Sequence, residues 1–163
     1  MSETHPNVAR VIEAARALGL ELTTRRFPDG TKTAADAALA IGVEVGQIVK
    51  SLVFAVDGEI VMAYVSGANQ LDEKKLAIAA GGAVCSRVDA DAVRAATGYA
   101  IGGVPPFGHA TELRVFIDPD LLQYDGVNDM VWAAAGTWND VFPISPTELV
   151  RMSGGTVTDL KRG

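Results

Sequence analysis

Cysteine, histidine and aromatic residues are scarce in this chain, and each shortage excludes something. The single cysteine, Cys85, has no partner for an internal disulfide, which suits a reducing compartment. Two histidines, His5 and His109, lie far apart and give no zinc-ligand spacing. Aromatics form 6% of the 163 residues while alanine occurs 25 times, so small and β-branched side chains must fill most of the interior. No apolar run reaches the roughly 18 residues of a membrane-spanning helix. The N-terminal MSETHPNVAR lacks the basic and apolar regions of a signal peptide, which predicts a cytoplasmic protein. Positive charge is short as well: 14 Lys and Arg stand against 20 Asp and Glu, a net of −6. Neither half of the sequence offers the broad basic field of a general nucleic-acid binder, so any nucleic acid must be held locally by a few phosphates. Phosphate-loop and dinucleotide glycine motifs are both missing, which removes the main support for nucleotide hydrolysis or hydride transfer.

What is present reads as one α/β (α+β) domain over residues 1–163. Val8, Val11, Ile12, Ala15 and Leu18 recur at helical spacing after Asn7, with Gly19 as the stop. A strand over Leu20–Phe27 runs into the turn Pro28-Asp29-Gly30. Thr33 to Asp36 forms a capping box for a helix ending before Gly42. Two apolar runs, Val49–Val56 and Glu59–Val65, flank Asp57-Gly58, the favoured sequence of a two-residue hairpin. Further helices are expected over Asp72–Ala80, Asp89–Thr97 and Ser145–Met152. Strands are expected over Ala83–Val88, Arg114–Asp118, Met130–Ala135 and Val141–Ile144. Hairpins interleaved with helices predict a mixed sheet with helices packed outside it.

Two features could carry chemistry. Lys50 begins an apolar strand, where an ammonium must either reach solvent or face a polar pocket. The segment from Thr97 to His109 holds Gly98, Gly102, Gly103 and Gly108 with the pair Pro105-Pro106. Such a loop is stiff, lets a ligand approach the backbone, and can offer N–H groups to an oxyanion. Cys85 lies in an apolar strand and reads as a small buried hydrophobe.

The ordered set Thr33–Ala38, Gln47-Ile-Val-Lys50-Ser-Leu-Val-Phe54, Thr97-Gly-Tyr99, Gly102-Gly103-Val-Pro-Pro-Phe-Gly108 and Ala135-Gly136 resembles the YbaK/ProX family. These proteins are stand-alone relatives of the editing domain of bacterial prolyl-tRNA synthetases. The resemblance covers roughly Val8 to Met152. It implies a curved mixed sheet with flanking helices, no cofactor and no metal. It also implies hydrolysis of the ester joining a wrong amino acid to tRNA, with a small amino acid on tRNA(Pro) or a related tRNA as the expected substrate. The family's lysine falls on Lys50 and its glycine-proline loop on Gly102 to Gly108. Its apolar-strand-then-glycine element falls on Ala133 to Gly136. Members that remove cysteine carry a serine where this chain has Ala134, a departure from that specificity.

On this reading Lys50, Gly102 and Gly103 are catalytic, the glycines as backbone donors to the oxyanion and Lys50 as a fixed charge on a phosphate or ester oxygen. Thr33, Leu52, Pro105, Gly108, His109, Ala134 and Gly136 would shape the substrate site. No general base is evident, so the substrate's own ribose hydroxyl or side chain would activate the nucleophile. The partners are the acceptor end of a mischarged tRNA and prolyl-tRNA synthetase, with no membrane and either a monomer or a homodimer. Arg25, Arg26, Lys32, Lys74 and Lys75 are candidate phosphate contacts. The alternatives are a non-catalytic module of the same fold that binds a small ligand or protein, and an interaction protein using the acidic C-terminal half.

Overall fold

The computed structural model describes residues 5–31 and 33–163. In chain order these form α1 (Pro6–Ala17), β1 (Arg25–Arg26), α2 (Ala34–Ile41), β2 (Val49–Val56), β3 (Glu59–Ser66) and α3 (Glu73–Ala79). They continue with β4 (Cys85–Arg87), α4 (Ala90–Thr97), β5 (Arg114–Ile117), β6 (Val131–Ala134), β7 (Asp140–Ile144), α5 (Pro146–Ser153) and β8 (Thr156–Val157). Two 3-10 turns, Val45–Gln47 and Pro119–Gln123, complete the set.

The hairpin of β2 and β3 stands at the centre. Asp57 and Gly58 both take positive φ, 50° and 86°, as a type I′ turn requires. Pairing then runs without a break from Val56–Glu59 to Val49–Ser66. Around it a five-stranded sheet has the order β4-β2-β3-β5-β8, antiparallel on the β2 side and parallel at β3–β5 and β5–β8. A second, antiparallel sheet has the order β1-β7-β6. The sheets touch through one parallel bridge, Ile48 to Trp132. The mixed α/β architecture agrees with the sequence, but the strands are divided between two sheets.

Local capping chemistry placed most helices correctly. Thr33, Asp72, Asp89 and Ser145 each accept a backbone N–H in the first turn of the following helix. Helix α1 differs: its cap is His5, whose Nδ1 accepts from Asn7 N at 3.0 Å. The Asn7 amide instead donates to Gly136 O at 3.1 Å, tying the helix to the end of the second sheet. The strand expected over Leu20–Phe27 is paired only at Arg25–Arg26, because β7 offers register partners to those two residues alone.

Burial follows the layering. The larger core joins Val11 and Ala15 of α1, Met62 and Tyr64 of β3, and Phe142 and Ile144 of β7, all at or below 1% exposure. On the other face of the hairpin, Val61, Ala63 and Val65 pack on Leu76 of α3 and Leu160. Gly67, just after β3, sits where a Cβ would lie 2.3 Å from the backbone oxygen of Val45. A backbone atom cannot yield as a flexible side chain does, so Gly67→Ala should cost about 1–3 kcal/mol. Urea denaturation of the variant, with an unchanged m-value and a lower midpoint, is the expected result.

Candidate active site

At the N-terminal half of β2, backbone pairing is one-sided. β3 pairs with all of it, whereas β4 reaches only Phe54–Val56. The remaining edge faces β6 across a gap, and the gap is a cavity of about 370 Å³. Ile48, Val49 and Leu52 form one wall, and Trp132, Ala133 and Ala134 the opposite one. Ala34 and Ala37 of α2 bound another side, while Ile101, Gly102 and Val104 of the glycine-proline loop bound the last. The polar lining consists of Thr31, Thr33, Lys50 and Ser51. Its size lies at the small end of ligand sites.

Lys50 is half-buried in this wall. Its ammonium donates to the carbonyl oxygen of Asn69. Burial pushes its pKa down from the ordinary lysine value, and the nearby Asp118 carboxylate opposes that shift. The sequence leaves the ammonium to reach solvent or face a polar pocket; the structure gives it a partner in Asn69, from the loop after β3. Next to it, the Ser51 hydroxyl is buried without a hydrogen-bond partner among the described residues.

The glycine-proline loop is held from below and from the side. Tyr64, fully buried, donates its hydroxyl to Pro106 O at 2.8 Å. Trp138 Nε1 donates to Ile101 O at 2.6 Å. Gly102 has φ +89°, and a Cβ there would meet the Trp138 ring at 2.7 Å. Only glycine fits both conditions.

The predicted site residues therefore divide. Lys50, Thr33, Leu52, Gly102 and Ala134 meet at the cavity. Thr33 does so while its hydroxyl caps α2, accepting from Asp36 N at 3.0 Å. Gly103 lies behind the loop, where a Cβ would come within 3.0 Å of the backbone of Gly136. Its N–H donates to Ala100 O at 3.0 Å, so it is spent inside the turn and does not point at an oxyanion. Gly136 abuts Asn7 on the same outer side. Pro105 is buried beneath the loop, and its carbonyl pairs with His109 Nε2 at 2.7 Å. Gly108, at φ +72°, turns the chain against Ala14 of α1. Pro105, Gly108 and His109 thus hold the loop rather than line the cavity.

The candidate phosphate contacts divide too. Arg26 pairs with Asp140 at 2.6 Å and Lys75 with Asp159 at 2.8 Å. Lys74 lies on α3, whose apolar side packs on the opposite face of the hairpin. Lys32 falls outside the described residues. Arg25 stands nearest the site, its guanidinium 5.6 Å from the ring of Trp132 in the cavity wall. Sequence reasoning missed Trp132 and Ile101; strand alternation carries the signal, since Trp132 and Ala134 share one face of β6. Cys85 is partly buried, and burial with nearby Glu73 pushes its thiol pKa up, the reverse of an activated nucleophile. Among the described residues no cluster of His, Cys, Asp or Glu is placed to hold a metal, and no helix is long and apolar enough to cross a membrane.

Comparison with known proteins agrees with this geometry. The profile of the aminoacyl-tRNA editing domain matches residues 28–152. A crystal structure of "a putative trans-editing enzyme for prolyl tRNA synthetase" superposes with a TM-score of 0.91 at 43% identity, covering 99% of this chain and 100% of that one. The proline–tRNA ligase of Citrifermentans bemidjiense is 35% identical over 105 residues, which are 64% of this chain but only 18% of the ligase. The "Putative Cys-tRNA(Pro)/Cys-tRNA(Cys) deacylase EbsC" of Enterococcus faecalis is 27% identical over 130 residues, 78% of this chain and 76% of that protein. The fold and its cleft define a hydrolase of aminoacyl esters, and the chain belongs to the aminoacyl-tRNA editing domain family.

Two predictions arise from the loop. Gly102→Ala should force the backbone out of φ +89° and displace the Trp138 ring. Deacylation should fall at least about tenfold while the melting temperature drops by only a few degrees, since about 1–2 kcal/mol of strain is involved. His109 is held neutral by burial, so its folded pKa lies below the ordinary value. Its contribution to stability is full above about pH 6.5 and is lost as pH falls through the depressed folded value. Thermal melts across that range should show the loss in the wild type and a flatter profile in His109→Gln.

Proposed function

We propose that this chain is a trans-editing deacylase that removes a small amino acid from a mischarged tRNA, with tRNA(Pro) as the first candidate substrate. The observation that carries this is a small, mainly apolar cavity with one half-buried ammonium in its wall and a glycine backbone at its mouth. An aminoacyl ester has a reactive carbonyl, so positioning water and stabilising the tetrahedral oxyanion suffice as catalysis. Water adds to the ester carbon, the carbon–oxygen bond to the ribose breaks, and the ribose oxygen leaves with a proton as the free hydroxyl.

Lys50 serves as a fixed positive charge on a phosphate or ester oxygen. Gly102 supplies the loop donor, since its N–H has no partner among the described residues whereas that of Gly103 is spent in the turn. Among the described residues the cavity lining contains no carboxylate and no imidazole. In this reading the substrate's own ribose hydroxyl, or its amino acid side chain, orients and activates the attacking water. Ala133, Ala134, Leu52 and Trp132 set the volume open to the amino acid side chain. The acidic net charge of −6 limits tRNA contact to the acceptor end, where Arg25 stands beside the cavity. The chain would act beside prolyl-tRNA synthetase in the cytoplasm.

The test is purified protein against a panel of mischarged tRNAs, scored for release of free amino acid. Lys50→Ala should lose roughly 10- to 150-fold in single-turnover hydrolysis, as a charge-assisted contact of about 1.5–3 kcal/mol implies. Lys50→Arg should restore only part of it, because a planar fork does not replace a compact ammonium. A well-folded Lys50→Ala protein at wild-type rate would overturn the catalytic reading and leave the binding-module alternative.

A further inference from the structure

The loop that follows β3 is bound far more tightly than its exposure requires. Asn69 donates its side-chain amide to Asp118 Oδ2 at 2.7 Å and to Asp120 Oδ2 at 2.9 Å. Both amide hydrogens are thereby used. Asp118 is fully buried, and it also accepts from Ser66 N at 3.1 Å and from Asp120 N at 2.9 Å. Lys161 closes the outer end, its Nζ 2.9 Å from Asp120 Oδ2. The side-chain amide is thus clamped between two carboxylates, and the carbonyl oxygen of the same residue receives the Lys50 ammonium.

We propose that Asn69 and Asp118 are positioning residues for Lys50: the clamped Asn69 carbonyl aims the ammonium along the cavity wall, and Asp118 supplies the fixed counter-charge behind it. The inference rests on the catalytic reading of Lys50 given above. Neither residue lines the cavity. A buried carboxylate must be hydrogen-bonded, and Asp118 meets that need while also capping the 3-10 turn Pro119–Gln123. The donors on Asp118 are two backbone N–H groups and one neutral amide. Lys50 and the more exposed Lys161 both sense its charge. The arrangement has the form of a shell that holds a reactive group within a narrow range of positions, where a misplacement of about 1 Å can cost two orders of magnitude in rate.

A double-mutant cycle tests this in the full chain. Asn69→Ala keeps the backbone carbonyl but frees it, and should slow single-turnover deacylation about tenfold while the fold is retained. In a Lys50→Ala background the same substitution should cause no further loss, because a positioning residue acts only through the group it positions. Asp118→Asn should behave likewise; if it fails to fold, Asn69→Ala still decides. The NMR signal of the Lys50 side chain should move in Asn69→Ala, which a purely structural role in the loop would not require. Wild-type rate in Asn69→Ala, or an equal slowing with and without Lys50, overturns the proposal. Wild-type rate in Lys50→Ala alone overturns the catalytic reading on which it stands.

Discussion

The site depends on β4 being too short to cover β2. Asp57, in the hairpin turn, accepts from Ala83 N and Val84 N with its carboxylate, so the returning chain is fastened at the hairpin tip. Those bonds hold the Asp57 pKa below the ordinary carboxylate value. From there β4 pairs with three residues and turns away into α4. The rest of the β2 edge is left open, and an open edge in a protein interior must be covered or used. The second sheet approaches it, touches it once at Ile48–Trp132, and diverges. The cavity is that divergence.

A single lysine can be tolerated in such a wall because three requirements are met together. Its side chain is only half-buried, its head reaches a carbonyl oxygen, and a buried carboxylate stands within electrostatic range. The opposite boundary is built with the reverse logic. There the loop carries no charge, and its position is fixed by Tyr64 from beneath and by Trp138 at the rim. Backbone geometry and a fixed ammonium thus face each other across an apolar gap, a combination suited to an ester and its developing oxyanion.

Much of the fold was legible because its determinants are local. The Asp57-Gly58 turn, the caps at Thr33, Asp72, Asp89 and Ser145, and the glycine stops at Gly42 and Gly98 are each written within a few residues. Elements fixed by distant partners were not. Leu20 and Leu22 look like strand residues but only pack against the core, since pairing ends at Arg25. The short β8 and the 3-10 turn at Pro119 have no periodic signal, and the cap of α1 required a histidine in an unusual role. At the site, Lys50, Thr33, Leu52, Gly102 and Ala134 were visible from the sequence and the resemblance together. The loop's inward and outward residues were not separable, because consecutive glycines and prolines follow no period.

Contacts across the molecule have a bearing on synthesis. Asn7 bonds to Gly136 across 129 residues, and Arg26 to Asp140 across 114. One wall of the cavity is β6, and β6 is held by β7, so neither is in place until residues near 144 have left the ribosome. Pairings of such sequence separation close slowly, since chain entropy is lost before any contact rewards it. The hairpin of β2 and β3, by contrast, can form as soon as Ser66 emerges. A nascent chain would therefore carry Lys50 on a finished hairpin well before it owned a pocket, and editing capacity would arise abruptly, once β7 had joined β6.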